Sequence, residues 1–232
     1  MKRVYKQVAV AEVEGGWGVT LDGRPLPTPA KLPLVLPSRA LAGAIAAEWD
    51  AQADEVKPQD MPMMQLASTA LDRVGPQRQA ILEGVAAYGA SDLLCYRADH
   101  PRELHERQAR EWQPLLDWAA LRYDALLHAT SGIVHKAQPE DSLKALRGAL
   151  DDLDTWQLTG VQNATALCGS IVLALALFED RIDAGTAFDL AELDASFQIE
   201  RWGEDAEATA RRASLRADLE ATGRFLALLK AA

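Results

Sequence analysis

The sequence predicts an α+β fold, in which a small N-terminal unit made of a β-hairpin or meander and a packed helix precedes a larger all-helical domain. Two observations predict this fold. Short runs of β-branched and aromatic residues, separated by turn signals, occupy the first part of the chain. From about residue 38 to the end of the 232 residues the pattern is almost wholly helical. We place the boundary at "VGP", which gives domains 1–75 and 76–232, with residues 57–58 as the alternative boundary.

The first elements form a hairpin or meander. Residues 4–13, "VYKQVAVAEV", have the composition of a strand, "EGG" turns the chain into "WGVTL", and "DG" at 22–23 turns it again. The proline-rich segment that follows allows only a short or edge strand, for which residues 34–36 are the best candidate. Ser38 then caps an alanine-rich helix that reaches about Glu55.

Prolines mark the starts of the central helices. Pro62 and Pro76 suit the first turns of helices that run to about residues 73 and 89, and Pro101 suits the start of the next helix. Pro114 falls inside that helix, where it should kink or divide it. The segment "LHATSGIVHK", at 127–136, interrupts the helical pattern and has room for one short strand.

The C-terminal half is predicted to be helical throughout. "PEDSLKALRGALDDL" forms one helix, and Asp154 caps a long helix that continues through Phe178 and is apolar nearly all round, as expected at the centre of a helical layer. The last pair runs from about 186 to 201 and from 204 to 229. The longest apolar run, residues 164–178, is shorter than the roughly 20 residues that cross a bilayer, so we expect no membrane insertion.

Charge and cysteine content exclude several classes of function. The chain has 24 Lys and Arg residues against 34 Asp and Glu residues, a net charge of −10, whereas a nucleic-acid-binding surface needs a basic footprint. We therefore expect no nucleic-acid partner. Cys95 and Cys168 lie among apolar neighbours and are predicted to be small buried side chains in a reduced compartment. The first residues lack the apolar core of a signal peptide, so export is not expected.

No motif for catalysis, metal binding or cofactor binding is convincing. The four histidines do not form an i, i+4 pair on a helix, so no metal site is expected. "CGSIV" lacks the second glycine of a nucleophile elbow. "GGWG" joins two strands, whereas a phosphate-binding loop precedes a helix. We expect neither an enzymatic activity nor a cofactor.

The acidic stretch "QIERWGEDAEA", at 198–208, is the best candidate for a functional site. In the simplest interpretation Gly203 ends one helix, and Glu204, Asp205 and Glu207 fill the first turn of the next, where the helix dipole favours anions. Glu207 is also predicted to pair with Arg211, four residues later.

That interpretation does not explain the tryptophan beside the acids. An exposed Trp202 ringed by carboxylates would suit a protein-binding surface, with the ring as anchor and the charges setting register. The alternative is that Trp202 fills core space. Acid–base catalysis by the carboxylates is the weakest interpretation, because it needs a pocket rather than a helix start.

A second conspicuous stretch, "EWDAQADEVKPQDMPMMQLASTALD", begins at residue 48. Trp49 falls on the same helical stripe as Leu41 and Ile45, which predicts that it packs the first helix onto the hairpin. The three methionines around Pro62 have two possible roles. Buried gap-filling is the commoner one, and an adaptable exposed surface is the alternative.

Three long motifs resemble a known family, the assembly chaperone of the F1 sector of ATP synthase that handles the α subunit. They are "EWDAQ…MPMMQLASTALD", "SDLLCYRADHPRELHERQAREWQPLLDW" and "SIVLALAL…LDASFQIERWGEDAEA", in that order and over essentially the whole chain. The resemblance implies two domains and no catalytic activity. Such proteins bind newly made α subunit before it meets β and keep it from aggregating.

The resemblance also suggests residues. The family's acidic region is similar to "RWGEDAEA", which implies that Trp202, Glu204, Asp205 and Glu207 bind the partner, with Glu207 the first choice. Trp49 resembles another family position, for which we expect a role in fold integrity. The start at the N-terminal strand is similar to that of bacterial cytoplasmic members rather than mitochondrial-matrix relatives, and we expect a monomer.

Three hypotheses therefore stand. The first is an ATP-independent chaperone for the F1 α subunit, the second is an interaction module for another protein, and the third is an enzyme that uses the acidic cluster.

Overall fold

The α+β fold class is confirmed by the computed structural model, which describes residues 2–132 and 135–231. The strands are β1 (Val8–Val13), β2 (Gly16–Leu21), β3 (Arg24–Pro25), β4 (Tyr96–Arg97) and β5 (Thr130–Ser131). The helices are α1 (Arg39–Asp50), α2 (Pro62–Thr69), α3 (Arg78–Ala86), α4 (Arg102–Tyr123), α5 (Glu140–Asp151), α6 (Thr155–Cys168), α7 (Ile171–Phe178), α8 (Ala184–Ala191), α9 (Leu193–Trp202) and α10 (Ala206–Lys230). A π-helical turn over Ala70–Val74 follows α2.

The chain divides into two compact units. Unit 1 comprises Met1–Arg78, Asp154–Gly160 and Ala221–Ala232, and unit 2 comprises Gln79–Leu153 and Val161–Glu220. Unit 1 therefore combines the N-terminal segment with two short stretches from much later in the chain. The domain limits 1–75 and 76–232 stay a prediction.

The sheet of unit 1 is an antiparallel meander in the order β1-β2-β3, as predicted. Its register runs from Val8 opposite Leu21 to Val13 opposite Gly16. The proline-rich segment contributes no strand at residues 34–36. It makes two isolated bridges instead: Trp17 and Leu36 exchange two backbone hydrogen bonds of 3.0 and 2.7 Å, and Pro27 pairs with Pro33.

Helix α1 begins as predicted and ends earlier. The Ser38 hydroxyl accepts a hydrogen bond from the Leu41 N–H at 3.1 Å, so Ser38 is the N-cap. The helix stops at Asp50 rather than near Glu55. The residues that follow pair with the N-terminal segment instead, because the Asp54 carbonyl accepts from the Arg3 N–H at 2.9 Å.

The core of unit 1 lies between α1, α2 and the sheet. Leu36, Leu41 and Ile45 are fully buried in it, and Phe225 from the C-terminal segment joins them. The predicted gap-filling role of the methionines is confirmed, since Met61, Met63 and Met64 are all buried. The exposed-methionine alternative is wrong.

In unit 2, α4 packs against α5, α7 and α9. Its Trp112 is fully buried and donates from Nε1 to the Leu190 carbonyl at 3.0 Å. Pro114 lies inside α4 without dividing it, so of the two predicted effects, a kink or a division, division is wrong. Proline lacks the N–H that would donate a hydrogen bond to the Arg110 carbonyl. Arg110 is exposed, so water can donate to that carbonyl instead.

The single long helix predicted from Asp154 through Phe178 is wrong, because it is broken between α6 and α7. Gly169 adopts a left-handed φ of +64° there, and the Ser170 hydroxyl caps α7 by accepting from the Leu173 N–H at 3.0 Å. Ser170 also donates to the fully buried Asp92 carboxylate at 2.9 Å. Burial raises the pKa of Asp92 to about 6.

The remaining segments differ in detail from the prediction. Residues 186–201, expected as one helix, form parts of α8 and α9, which separate at Glu192. The short strand expected within 127–136 is β5, which pairs in parallel with β4. Residues 133 and 134 of that segment lie outside the described residues. No helix in the described part of the chain combines the length and apolarity needed to span a bilayer.

Candidate functional site

The turn between α9 and α10 in unit 2 presents an exposed tryptophan. Trp202 is the last residue of α9, and its side chain is 75% exposed. Gly203 ends the helix, as predicted, with a φ of +82°, and its N–H donates to the Ile199 carbonyl at 2.8 Å. The core-filling alternative for Trp202 is therefore wrong.

Three acids around Trp202 have partners within the protein. The Asp205 carboxylate accepts from the Ala208 N–H at 2.8 Å and so caps the start of α10. Glu204 lies 3.4 Å from the Arg212 guanidinium, and both carboxylate oxygens of Glu200 lie 2.8 Å from Arg107 Nη1. These charges are engaged in holding the local fold.

Glu207 differs from its neighbours. It is exposed, and its carboxylate makes no hydrogen bond or ion pair with any residue that the structure describes. The predicted pair with Arg211 is wrong, because Arg211 instead lies 3.0 Å from Glu192. The Glu192 side chain is only 11% exposed, so an ion pair there is less screened by water than one with Glu207. The Glu207 carboxylate therefore has the helix start beside it but no paired cation among the described residues.

Arginines fix the position of this turn. The Arg212 guanidinium, itself mostly buried, contacts Glu192 at 2.7 Å and the Ser196 hydroxyl at 2.9 Å, besides Glu204. Arg201 stacks over the Phe197 ring at 4.4 Å, which orients the end of α9. The turn is therefore a braced surface feature.

Sequence reasoning missed these bracing arginines. Arg107 and its partner Glu200 are 93 positions apart in the chain. No spacing rule connects residues at such separations, because helical pairing rules cover only three or four positions. The signal for this contact lies in the fold alone.

Trp49 lies in unit 1 and belongs to a separate part of the molecule. Its side chain is 8% exposed, which confirms the predicted burial. The Tyr5 ring meets it edge-on at 5.6 Å, and the Tyr5 hydroxyl donates to the Trp49 carbonyl at 2.7 Å. The structure thus gathers Trp202, Gly203, Glu204, Asp205 and Glu207 in one turn and places Trp49 elsewhere.

The two cysteine thiols have the surroundings of structural side chains. Cys95 and Cys168 are buried, as predicted, and burial raises the pKa of each thiol to about 12. Across residues 2–132 and 135–231, no three His, Cys, Asp or Glu side chains are grouped in a way that could hold a metal ion. The exposed acids at the α9–α10 turn are suited to contacting another molecule from the surface.

Comparison with known proteins gives a consistent result. The family described as "ATP12 chaperone protein" matches residues 2–120. The crystal structure of Atp12 from Paracoccus denitrificans is 43% identical, covers 98% of both chains and superposes with a TM-score of 0.94. A protein structure from Agrobacterium tumefaciens gives the same identity and TM-score over 98% of this chain and 86% of its own.

A eukaryotic relative extends the comparison. The mitochondrial protein atp12 of Schizosaccharomyces pombe is 25% identical over 214 residues, which span 87% of this chain and 74% of that protein. The matches to solved structures cover both units of the chain. The chain therefore belongs to the ATP12 family of assembly chaperones, as its sequence motifs indicated.

Proposed function

We propose that this chaperone of ATP synthase assembly binds the free α subunit of the F1 sector and prevents its aggregation until α meets β. The observation that carries the proposal is the exposure of Trp202 at the same helix junction as Glu207, whose carboxylate is paired with no described residue. Binding the α subunit in this way requires neither a covalent reaction nor ATP. The proposal places this work in the bacterial cytoplasm, with the chaperone acting as a monomer.

Trp202 has the properties of an interface anchor. Tryptophan is enriched among the residues that contribute most to binding, because its large ring loses much apolar surface to water when a partner covers it. An isolated ring on a braced helix end loses little conformational freedom on binding, which favours affinity. Trp202 is thus suited to insert into a pocket on the partner.

Glu207 has the properties of a rim charge. Its exposed carboxylate has no partner among the described residues, so a cation on the α subunit would not have to displace an internal contact. Rim charges act mainly on association rate and register. An apolar anchor with a charged rim gives the moderate, reversible affinity that a holding protein needs, since α must later be released.

The net charge of −10 supports the same role. An orphan subunit exposes an apolar face that drives association with wrong partners. A chaperone with a large net charge stays soluble and resists self-association while it covers such a face.

The basic test is co-expression of the chain with α subunit. We expect α to remain soluble and to elute with the chaperone in gel filtration. If α aggregates as it does alone and never co-elutes, the proposed function is wrong.

Charge reversal at Glu207 tests the site. Glu207→Lys should weaken capture of α about tenfold, because it replaces a favourable rim charge by an unfavourable one. The melting temperature should change little, since a first-turn acid contributes only about 0.3–1 kcal/mol to its helix.

The matched control is Glu220→Lys, which makes the same charge change at an exposed position further along α10. Trp202→Ala should lose capture as well, with normal stability. A Glu207→Lys protein that unfolds several degrees earlier but binds normally per folded molecule would show that Glu207 only stabilises the helix start.

A further inference from the structure

Unit 1 contains a large cavity that no role described so far uses. It has a volume of about 900 Å³ and is partly open to solvent. Its walls come from the N-terminal segment, the sheet, α1, α2 and the π-helical turn, and they are mostly apolar, with Tyr5, Leu26, Val56 and Met64 among the lining residues. Cavities of about 300–1,000 Å³ with such walls are typical of ligand sites.

Two polar groups belonging to residues of the cavity wall have no hydrogen-bond partner among the described residues. Trp49 Nε1 and Ser68 Oγ make no hydrogen bond with the described residues. Both atoms are buried, and each residue is only 8% exposed. Both residues line the cavity. Buried polar groups in proteins are nearly always bonded, because desolvation without a partner is costly. Each of the two atoms has almost no exposed surface of its own, so its partner is either a bound water or a group of another molecule that reaches it after a side-chain shift.

The chemistry of these groups restricts that partner. The indole Nε1–H can only donate, so it requires an acceptor, whereas the Ser68 hydroxyl can donate or accept. The walls require apolar groups. A suitable occupant therefore combines apolar side chains with hydrogen-bonding groups such as backbone carbonyls.

The mouth of the cavity adds a charge preference. Lys2 and Arg73 line it, are exposed, and make no ion pair within the described residues. The neighbouring Asp72 also lines the cavity and offsets one of these charges, while its carboxylate accepts from the Thr28 hydroxyl at 2.6 Å and from the Ala30 N–H at 3.1 Å, so the two cations and one carboxylate leave one net positive charge. The mouth is locally positive on a chain whose net charge is −10. An occupant with a carboxylate beside its apolar part would complement it.

Val4 supplies the last feature of the mouth. This lining residue is 86% exposed, and a valine in that position gains by being covered. An extended chain crossing the mouth would cover Val4 and insert side chains between the walls, since alternate side chains of a strand point to opposite faces. A polypeptide segment thus fits the apolar, polar and charged features together.

We propose that this cavity binds an extended apolar segment of the unassembled α subunit, with a backbone carbonyl accepting from Trp49 Nε1 and an acidic side chain beside Lys2 and Arg73. The proposal rests on the proposed function and adds to it a second contact, separate from the Trp202 surface. It implies that the two unsatisfied groups are retained for binding at a cost in stability.

The first test is Ser68→Ala. The substitution removes a buried hydroxyl that bonds to no described residue, so the free variant should be as stable as the wild type or more so. Capture of α should weaken about threefold to tenfold, the usual effect of losing one hydrogen bond. A purely structural Ser68 would leave the affinity for α unchanged.

The second test locates the occupant by cross-linking. Thr69 lines the cavity, and the native thiols are buried with raised pKa values, so Thr69→Cys can be labelled selectively with a benzophenone photo-cross-linker. We expect a cross-link to co-expressed α subunit. Ala47→Cys is the matched control, because Ala47 is exposed on α1 and does not line the cavity.

The outcomes separate this proposal from the proposed function. If the wild-type chain fails to capture α, both are wrong. If capture is normal but Thr69 gives no cross-link to α and Ser68→Ala binds as the wild type, the cavity proposal alone is wrong. A cross-link between two copies of the chaperone would assign the cavity to self-association and would likewise overturn it.

Discussion

Replacing Trp49 by arginine should cost most of the stability of unit 1. Burial of an aromatic side chain of this size removes about 150–250 Å² from water, which at about 25 cal/mol per Å² corresponds to about 4–6 kcal/mol. Trp49 is 8% exposed, so nearly all of that contribution is present. The edge-on contact with Tyr5 at 5.6 Å adds about 1 kcal/mol.

The arginine would also place a charge against apolar walls. Its stem could direct the guanidinium toward the cavity mouth, but Lys2 and Arg73 are already there and would repel it. The summed loss of about 5–7 kcal/mol is as large as the whole stability of a marginal domain. We therefore expect Trp49→Arg to be insoluble or unfolded on expression.

Soluble yield and urea unfolding monitored by circular dichroism measure the effect. Trp49→Phe is the control, because it keeps an aromatic ring and removes the unpaired Nε1–H, and it should remain soluble with a loss of about 1–2 kcal/mol. A soluble Trp49→Arg protein whose unfolding free energy lies within about 1 kcal/mol of the wild type would refute the burial argument.

Two further predictions concern unit 2. Burial raises the pKa of Asp92 from 3.8 to about 6, so the folded state holds this proton more tightly than the unfolded state does. The resulting contribution to stability is fully present below about pH 4 and is lost as the pH rises through 6. Urea unfolding at pH 5 and 7.5 should show the wild type losing about 1 kcal/mol more than Asp92→Asn between the two values, and equal losses would contradict the assignment. Gly203→Ala should cost about 1–3 kcal/mol of unfolding free energy, because φ +82° and ψ 173° form a region that is open almost only to glycine. No atom lies within 4 Å of the added Cβ, so an unchanged urea midpoint would mean that the backbone relaxes freely.

The parts of the fold that the sequence predicted depend on local signals. The hairpin follows from strand composition interrupted by glycine turns. The start of α1 follows from Ser38, whose hydroxyl accepts a hydrogen bond from the N–H of Leu41, three residues later. The end of α9 at Gly203 follows from the tolerance of glycine for positive φ. Each signal acts within a few residues, where spacing alone decides geometry.

The parts that it did not predict depend on distant partners. The break between α6 and α7 has local signals in Gly169 and Ser170, but the Ser170 hydroxyl also donates to Asp92, which lies 78 residues earlier in the chain. The early end of α1 depends on pairing with residue 3, and Phe225 joins the core of unit 1 from the other end of the chain. The periodicity of apolar residues predicts which side of an element is buried, but it does not identify the distant residues that this side contacts.

At the candidate site, too, the sequence identifies the residues, whereas their contacts in the fold distinguish their roles. Sequence reasoning found three acids near Trp202, namely Glu204, Asp205 and Glu207, as equivalent candidates, apart from the family resemblance that favoured Glu207. A partner that engaged Asp205 would have to replace its N-cap bond, which stabilises a helix by about 1 kcal/mol. Engaging Glu204 would compete with Arg212, whereas the Glu207 carboxylate is bound by no described residue. Removing Glu207 should therefore affect recognition without affecting the fold, and removing Asp205 should affect both.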